Sequence, residues 1–594
     1  MSTPRTTFAH SRTWPACLIV LAALALIGVA PISPALIFLV ATGMAWAVAA
    51  VGLDAFSGYL GQVSFGHAAF VGAGAYGTTI LSTDYGWSFP AAAAVSMVAV
   101  AALGGILGSV LLRLQEFGVI LGTFFLTVVS TALLSGTLFA GLTNAASGHQ
   151  TPQLLIGGTN LSIGSAYYYV CWFILAVVVT VSAFLVDAAP GRILRLVKRS
   201  APVARSLGIS SYRVRLAAFV WSATLSALAG SLIALGAGYI SPENFGVQAS
   251  IMLFAMVAVG GLGSIAGPVV GAVLLLTLPN QLQFAQTAQQ ILFASLLLVV
   301  FVGARGGLYG LAAITASRLG LRFPRRRLAG TAQQDALAAR PPAPVRALGL
   351  SLHAVTLDYG GVRALDNVGF DVRAGTVHAL IGPNGAGKTS LLNCITGLER
   401  PTSGTIDVTG EANSDRVPKY AHRTFRNQAI VPDLTAAQNV ALGLHNDRKQ
   451  LGRGRARSRA LDGRARRALL DLGVAESRHD VGGWQLSLAE SKLVDLARGI
   501  VGAPGLLVLD EPTAGLSHEE LDTISGVVQR LNQEIGLTIV VVSHHVGWVR
   551  TVTTSATVLS VGKVLAEGRT EDVLALPETR TAFLGDRSDN EVSR

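Results

Sequence analysis

The chain of 594 residues is too long for a single hydrophobic core, so at least two domains are expected. Hydrophobic residues make up 51% of it and charged residues 13%, about half the charged fraction of an ordinary soluble domain. The charges are also unevenly divided, because residues 1–304 hold only ten of the 45 Lys and Arg and five of the 34 Asp and Glu. This division excludes a purely soluble protein and indicates lipid around the first half and water around the second.

The net charge of +11 does not indicate a nucleic-acid partner. Much of the excess lies beside apolar segments, where the anionic lipid of a membrane is the simpler counterpart. The three cysteines, Cys17, Cys171 and Cys394, are far apart and lack the spacing of a metal site or a disulfide framework. We interpret them as packing residues.

Apolar runs recur through residues 14–303 and predict an all-α polytopic membrane domain, residues 1–304, with about ten spans. The last three runs are short or interrupted by glycine, so eight or nine spans are the alternatives. The first run is interpreted as a retained helix rather than a signal peptide, because no clear cleavage site follows it. The predicted spans lie near 14–30, 34–51, 65–81, 89–112, 117–141, 167–186, 214–235, 249–260, 267–278 and 290–303.

The positions of Lys and Arg predict the orientation of these spans. The ten basic residues of the first half fall before the first span, at Arg113 and in one loop, 187–215. The loops on the opposite side of a ten-span path contain none. The distribution predicts that both ends of this domain and the basic loop face the cytosol.

Two stretches differ from plain lipid-facing helices. Residues 56–77 are rich in glycine and contain Gln62 and His67, and residues 238–268 combine glycine and proline. Such segments form either broken helices that line a path or close helix contacts through small residues. For His67, a hydrogen-bonded packing role is favoured over contact with a substrate.

The second half begins after a basic, Pro-rich segment, residues 305–347, which is predicted to be a linker. From residue 348 to residue 594, short apolar strands alternate with helical periods, which is typical of an α/β domain. The expected fold is therefore the polytopic membrane domain followed by an α/β domain.

The segment HALIGPNGAGKTSLLNCITG, 378–397, has the form of an apolar strand, a Gly-rich loop and a helix, the context of a nucleotide-binding P-loop. The loop directs backbone N–H groups at the phosphates, Lys388 neutralises their β- and γ-oxygens, and Thr389 offers a hydroxyl to Mg²⁺. We therefore predict ATP and Mg²⁺ as ligands. The predicted phosphate-binding residues are Gly382, Pro383, Asn384, Gly385, Ala386, Gly387, Lys388, Thr389 and Ser390.

Further candidates follow two more apolar strands. Asp510 and Glu511 follow the apolar residues of the segment LLVLDEP, 506–512. Asp510 fits the role of a magnesium-side carboxylate, and Glu511 fits the role of a general base for the attacking water. The alternative for Glu511 is an ordinary carboxylate at the end of a strand. His544 follows the strand TIVVV and is placed to contact the γ-phosphate, and Tyr359 is placed to stack on adenine.

Segments 57–76, 192–232 and 238–272 of the first half resemble the permease of Liv-type importers of branched-chain amino acids. In that family the basic loop forms a cytosolic helix that docks on the ATPase. The resemblance implies this coupling role for residues 198–209. Family members usually carry acidic residues in this helix, whereas the present sequence has none there, so docking by shape is expected rather than docking by charge.

The second half, over residues 350–586, resembles the ATP-binding-cassette (ABC) ATPases that work with Liv-type permeases. The resemblance rests on the order Tyr359, P-loop, LSLAE (486–490), DEP, AGLS (514–517) and His544. It implies that each ATP binds between the P-loop of one cassette and the LSGGQ-type signature of another. Ser487 is then a nucleotide contact. The implied partners are a second permease–ATPase pair, an extracytoplasmic solute-binding protein and the lipid membrane.

Two positions depart from the family pattern. Ala489 stands where the signature has a glycine that approaches the γ-phosphate, so its Cβ is expected to weaken that contact. Arg426 stands where the family has a magnesium-contacting glutamine, and Gln428 is the candidate to replace it, because an arginine cannot ligate a cation. An altered signature together with an intact P-loop favours a hetero-assembly with one strong and one weak site.

We therefore expect a fused permease–ATPase half-transporter in the cytoplasmic (inner) membrane, which imports small solutes such as branched-chain or other amino acids. An ABC exporter or lipid flippase is the alternative from a similar fusion. A degenerate regulatory cassette in an asymmetric transporter is the other alternative.

Overall fold

The computed structural model describes residues 13–137, 147–156, 159–281, 306–318, 347–408, 421–425, 430–445 and 455–584, with positions 143, 144 and 295. The chain forms two compact units, which are described separately below. One unit is 10–198 with 211–326, and the other is 327–594 with 199–210.

The first unit is built from apolar helices. A helix is present at each of the first nine predicted spans, and the tenth, 290–303, falls almost entirely outside the described residues. Its helices are α1 (Thr13–Ile27), α2 (Pro34–Ser57), α3 (His67–Thr83), α4 (Phe89–Leu111), α5 (Glu116–Ser135), α6 (Gly164–Asp187), α7 (Ala189–Arg199), α9 (Ser211–Ala237), α10 (Val247–Gly260), α11 (Ala266–Gln281) and α12 (Gly307–Arg318). The short helix α8 (Ala201–Ser206) lies in residues 199–210, which are grouped with the second unit. Short strands are β1 (His149–Gln150), β2 (Leu155–Ile156), β3 (Thr159–Asn160) and β4 (Tyr239–Ile240).

Six helical segments among the described residues are long and apolar enough to cross a membrane. The last of them, Pro242–Gly260, joins a 3₁₀ turn to α10, while Trp14–Ile27 and Ala266–Leu278 are shorter apolar helices. The predicted positions of the helices therefore agree with the structure, but the expected count of about ten spans is not confirmed. The six are Pro34–Ser57, Phe89–Leu111, Glu116–Ser135, Gly164–Asp187, Ser211–Ala237 and Pro242–Gly260.

Helix α9 lies at the centre of this unit and packs on α2, α3 and α4. Glycines allow this close approach: a Cβ built on Gly74 of α3 would lie 2.2 Å from the Ala227 carbonyl oxygen of α9. In the other direction, a Cβ on Gly230 of α9 would lie 1.9 Å from the Val71 carbonyl oxygen of α3. The glycines of this part of the 56–77 stretch thus serve helix packing. Helices α4 and α5 instead expose large apolar side chains, among them Val98, Ile106, Val110, Phe117 and Phe125.

His67 is buried at the start of α3, and both nitrogens of its ring face serine hydroxyls. Nδ1 lies 2.9 Å from Ser64 Oγ, and Nε2 lies 2.7 Å from Ser222 Oγ. The rings of Phe56, Phe70 and Phe219 surround the imidazole, with centroids 5.7–6.1 Å away. A buried imidazole with two serine partners and an aromatic surround agrees with the interpretation of His67 as a hydrogen-bonded packing residue.

The end of α2 is fixed to the turn between α10 and α11 by Asp54, which the sequence analysis did not single out. The side chain is 1% exposed, and Oδ1 accepts a hydrogen bond from the Gly263 N–H at 2.7 Å. Lys198 of α7 donates to the Gly58 carbonyl at 2.6 Å, one turn further along. Three separate segments therefore meet at the Gly58 turn.

We expect Gly58→Ala to destabilise the protein severely, because the added Cβ would lie 1.9 Å from Asp54 Oδ1 and 2.3 Å from the Gly263 nitrogen. Overpacking of this kind costs about 1–3 kcal/mol or more. The thermal midpoint and yield of the detergent-purified protein measure the effect. Gly105→Ala is the matched control, since its Cβ would meet only Val220 Cγ2, 3.9 Å away. Equal melting of the two variants would contradict this account of the turn.

The second unit contains a six-stranded sheet and a three-stranded antiparallel sheet. The six strands follow the order β13-β12-β7-β11-β10-β9, parallel except for β13, and the three follow the order β6-β5-β8. Strands β7, β10 and β11 are buried along their whole length. The strands are β5 (Leu350–Tyr359), β6 (Val362–Val372), β7 (Val377–Ile381), β8 (Ser403–Asp407), β9 (Ala421–Arg423), β10 (Leu506–Asp510), β11 (Thr538–Val542), β12 (Ser555–Ser560) and β13 (Lys563–Arg569).

Helices cover the six-stranded sheet, and apolar side chains of both form the core of this α/β unit. The parallel strands β7, β10 and β11 end at one edge of the sheet, which therefore collects the residues that follow them. The helices are α13 (Lys388–Ile395), α14 (Ala436–Ala441), α15 (Arg455–Asp471), α16 (Leu488–Ile500), α17 (His518–Gln533), α18 (Val546–Val552), α19 (Thr570–Ala575) and α20 (Pro577–Leu584).

Candidate active site

The Gly-rich loop joins β7 to α13, as the sequence predicts. Gly382 and Gly387 have φ angles of +153° and +95°, and a Cβ on them would lie 2.2 Å from the Leu559 oxygen and 2.6 Å from the Ala364 oxygen, respectively. Gly385, at φ +82°, faces open space. The loop therefore has the backbone that only glycine adopts without strain, and it leaves room on the side where a phosphate would lie.

Lys388 is the first residue of α13 and is largely buried. Its ammonium group donates to the Gly382 carbonyl at 2.6 Å and to the Pro383 carbonyl at 2.7 Å. The cation is thus held inside the loop at the place where phosphate oxygens would approach. The neighbouring Thr389 is exposed on the first turn of the same helix, and Ser390 is half-buried.

Asp510 ends β10, and its side chain is 12% exposed. Its Oδ2 accepts a hydrogen bond from Arg423 Nη2 at 2.6 Å. The other terminal nitrogen of Arg423, Nη1, donates to Asn393 Oδ1 on α13, also at 2.6 Å. The guanidinium thus joins the strand that ends in Asp510 to the helix that begins at the P-loop.

Glu511 follows directly and has a φ angle of +51°, which is unusual for a residue other than glycine. Its N–H donates to the Val542 carbonyl at 2.8 Å, and its side chain is 7% exposed. His544 Nε2 lies 3.0 Å from Glu511 Oε1, although the two groups lack the alignment of a hydrogen bond. A backbone strained by about 1–3 kcal/mol is typical of functional sites, and the two predicted catalytic side chains are neighbours here.

Tyr359 ends β5 and is 44% exposed, as a ring that stacks on a nucleotide base must be. Its hydroxyl donates to a carboxylate oxygen of Glu399 and also contacts Ser390 of the P-loop helix. Partial burial and the bond to Glu399 raise the pKa of the Tyr359 hydroxyl. Tyr359 is therefore placed beside the P-loop helix.

Ser487 caps the N-terminus of α16. Its hydroxyl accepts from the Glu490 N–H at 3.1 Å, and Glu490 Oε2 accepts from the Ser487 N–H at 2.8 Å. Arg478 binds the same carboxylate with two nitrogens, at 2.6 and 2.8 Å, and this pairing holds the pKa of Glu490 below its usual range. The LSLAE segment thus begins a regular helix, with Ala489 in its first turn.

Two predicted positions, Arg426 and Gln428, lie outside the described residues. Within the described ranges, the structure groups the remaining predicted residues around the end of the sheet and the P-loop helix, and it places Ser487 on α16. Four residues of the site were not predicted from the sequence: Arg423, Asn393, Glu399 and Arg478. The partners that join Arg423 to Asn393 and to Asp510 are 30 and 87 positions away in the chain, so spacing gave no signal.

Comparison with known proteins identifies both halves. Residues 35–304 match the family of the branched-chain amino acid transport system permease component, and residues 365–514 match the ABC transporter family. The chain is 31% identical over 252 residues to the high-affinity branched-chain amino acid transport ATP-binding protein LivG of Salmonella typhimurium. The aligned region covers 40% of this chain and 98% of LivG. The chain belongs to the Liv-type ABC transporters.

In this Liv-type chain, the permease and the ATPase are fused. Two other relatives match the ATPase part alone. The high-affinity branched-chain amino acid transport ATP-binding protein BraF of Pseudomonas aeruginosa is 29% identical over 250 residues, covering 40% of this chain and 98% of BraF. The methionine import ATP-binding protein MetN of Streptomyces griseus is 35% identical over 236 residues, covering 37% of this chain and 63% of MetN. The second unit is therefore an ABC ATPase that binds ATP, and the first is a helical membrane domain.

Proposed function

We propose that this chain is one half of an importer that uses ATP hydrolysis to move small solutes, with branched-chain or other amino acids as the favoured class. The observation that carries the proposal is a nucleotide site with P-loop, Asp510, Glu511 and His544 in one chain with a Liv-type permease. The names of BraF and LivG support the solute class. We propose 1–304 as the permease, 305–347 as the linker and 348–594 as the ATPase.

The residues of the site have separate roles in the proposed hydrolysis of ATP. The P-loop backbone and Lys388 bind the phosphates, and Glu511 accepts a proton from the attacking water while His544 lies beside the same carboxylate. Exposed Thr389 and the Asp510 carboxylate supply the oxygen ligands that Mg²⁺ prefers, so they are the residues that would hold it. Bound there, the ion would neutralise charge on the phosphates.

The proposed location is the inner membrane, with the basic loop and both ends of the permease in the cytosol. Contacts within the first unit support this sidedness. A ten-span path places the loops 82–88, 142–166 and 236–248 outside. Strand β1 pairs with β4, and His149 lies 3.3 Å from Asp84, so these three loops meet one another. At the other end, Asp54 contacts Gly263 and Lys198 contacts Gly58, all in loops predicted to be cytosolic or at the helix ends beside them.

Cysteine labelling tests this orientation. We expect an impermeant thiol reagent to modify Leu155→Cys in intact cells and to modify Arg205→Cys only after permeabilisation, because both side chains are exposed. The three native cysteines are buried and give a low background, which the unsubstituted chain measures. Labelling of Arg205→Cys alone from outside would overturn the orientation.

The proposed partners are a second permease–ATPase pair and an extracytoplasmic solute-binding protein. The function is tested by reconstituting the assembly in proteoliposomes, with the solute-binding protein that co-purifies, and measuring ATP-dependent movement of radiolabelled leucine, other amino acids and lipid analogues. Accumulation of an amino acid on the ATPase side, lost in Lys388→Ala, is the expected result. Movement of solute or lipid in the other direction would identify an exporter or flippase instead.

A further inference from the structure

We propose that Arg423 is a positioning residue that sets the spacing between the two residues proposed to hold Mg²⁺, Thr389 and Asp510. The proposal rests on the magnesium site described above. It assigns a role to a side chain that lies outside the P-loop.

One end binds Asp510 and the other binds Asn393, each at 2.6 Å. Asn393 is four residues after Thr389 on α13, so the two side chains lie on the same face of that helix. Arg423 therefore spans from the helix face that carries Thr389 to the carboxylate of Asp510. A planar fork holds its two donor nitrogens apart in a fixed geometry, whereas an ammonium group donates from one nitrogen and would have to draw both acceptors toward that single atom.

The position of Arg423 is itself rigid. It ends β9, where it pairs with Val508 of β10, and the following residue, Thr424, donates its N–H to the Val508 carbonyl at 2.9 Å. The ring of Phe425 lies 4.9 Å below the guanidinium, and the Arg423 side chain is 3% exposed. Because the Arg423 guanidinium is buried and fixed, it holds α13 at a set distance from the end of β10.

A counter-ion role is the competing explanation, and it predicts the opposite sign. If Arg423 merely balanced the charge of Asp510, then removing its positive charge would leave the site more negative and would strengthen Mg²⁺ binding. If the bridge sets the spacing, then a variant that keeps the charge but loses the fork weakens the binding of Mg²⁺ with nucleotide. Arg423→Lys and Arg423→Met separate the two explanations.

The affinity of the full purified chain for ADP, measured by calorimetry in Mg²⁺ and in EDTA, gives a readout that does not depend on turnover. We expect the gain in ADP affinity on adding Mg²⁺ to fall at least tenfold in both Arg423→Lys and Arg423→Met, with the affinity in EDTA changed less than threefold. Arg467→Met, which removes an exposed arginine paired with Asp471, is the matched control and should keep the full gain.

Removing one partner of a buried ion pair is strongly destabilising, so thermal melting of each variant is measured first. Asn393→Ala provides a second test, because it cuts only the bond to α13 and leaves the pair with Asp510. It should also reduce the magnesium-dependent gain. A full gain in folded Asn393→Ala or Arg423→Lys, or a larger gain in Arg423→Met, would overturn the proposal. If the ADP affinity of the wild-type protein is the same in Mg²⁺ and in EDTA, the proposed metal site is wrong, and the proposed role of Arg423 is wrong with it.

Discussion

Glu511→Gln is expected to lower ATP hydrolysis by about 10²–10⁴-fold, the usual contribution of a general base, while ATP binding persists. Glutamine has the shape of glutamate but cannot accept the proton of the attacking water. The side chain is nearly buried and lies beside His544, and the strained backbone at φ +51° aims it from the end of β10. The loss should therefore come from chemistry rather than from a misplaced side chain.

Steady-state ATPase activity and nucleotide binding of the reconstituted transporter measure this effect. Lys388→Ala should differ from Glu511→Gln, because it removes the cation held in the P-loop and abolishes binding as well as uptake. Glu519→Gln makes the same chemical change at an exposed glutamate of α17 and should leave the rate unchanged. Turnover of Glu511→Gln at the wild-type rate would show that this chain's site does not power transport.

The parts of the site that the sequence predicted are those in which chemistry and local structure coincide. Asp510 ends a short apolar strand, and the P-loop, Glu511 and His544 follow such strands. Parallel strands bring these positions to one edge of a sheet. The bridge through Arg423 was not predictable, because its partners are separated by 30 and 87 residues and each is an ordinary polar residue in its own segment.

The sequence also left two features of the membrane domain undecided, the number of spans and the role of its glycines. The apolar runs correctly predicted the positions of the helices. Length alone, however, does not decide whether a short helix crosses the bilayer, as Trp14–Ile27 and Ala266–Leu278 illustrate. The glycines of residues 56–77, which include those of α3, have two interpretations from the sequence, a broken helix or close packing. Only the 1.9 and 2.2 Å distances from a built Cβ to the opposite backbone identify close packing at Gly230 and Gly74.

The altered signature is more regular than its sequence suggests. Ser487 and Glu490 form a reciprocal cap, and Arg478 holds Glu490 with two hydrogen bonds and also donates to the Gln485 carbonyl at 2.8 Å. Glu490 therefore stabilises the start of α16 rather than distorting it. Leu488, at 49% exposed, projects from the same turn. Ala489 and the exposed Leu488 are then the two departures that a nucleotide bound to the opposite cassette would meet.

In an assembly of two different halves, Ala489→Gly should therefore raise the ATPase rate or nucleotide affinity at the partner's site and leave this chain's own site nearly unchanged. The family pattern implies that the missing glycine brings a backbone N–H close to the γ-phosphate. Losing one such preorganised donor costs about 2.7–4 kcal/mol elsewhere. Because alanine keeps its own N–H and Leu488 remains on the same turn, the roughly 10²–10³-fold change in rate that this energy represents is the upper bound of the gain.

Single-turnover hydrolysis, with one site at a time inactivated in the reconstituted hetero-assembly, measures each site separately. Ala460→Gly on α15 is the control for the loss of helix propensity, which costs about 1 kcal/mol in a helix interior and less in a first turn, and it lies outside the signature and the P-loop. A uniform effect of Ala489→Gly on both sites would contradict the proposed division into a strong and a weak site. A fully active transporter made of two copies of this chain alone would contradict it more directly, because both of its sites would then hydrolyse ATP against a signature that lacks the glycine.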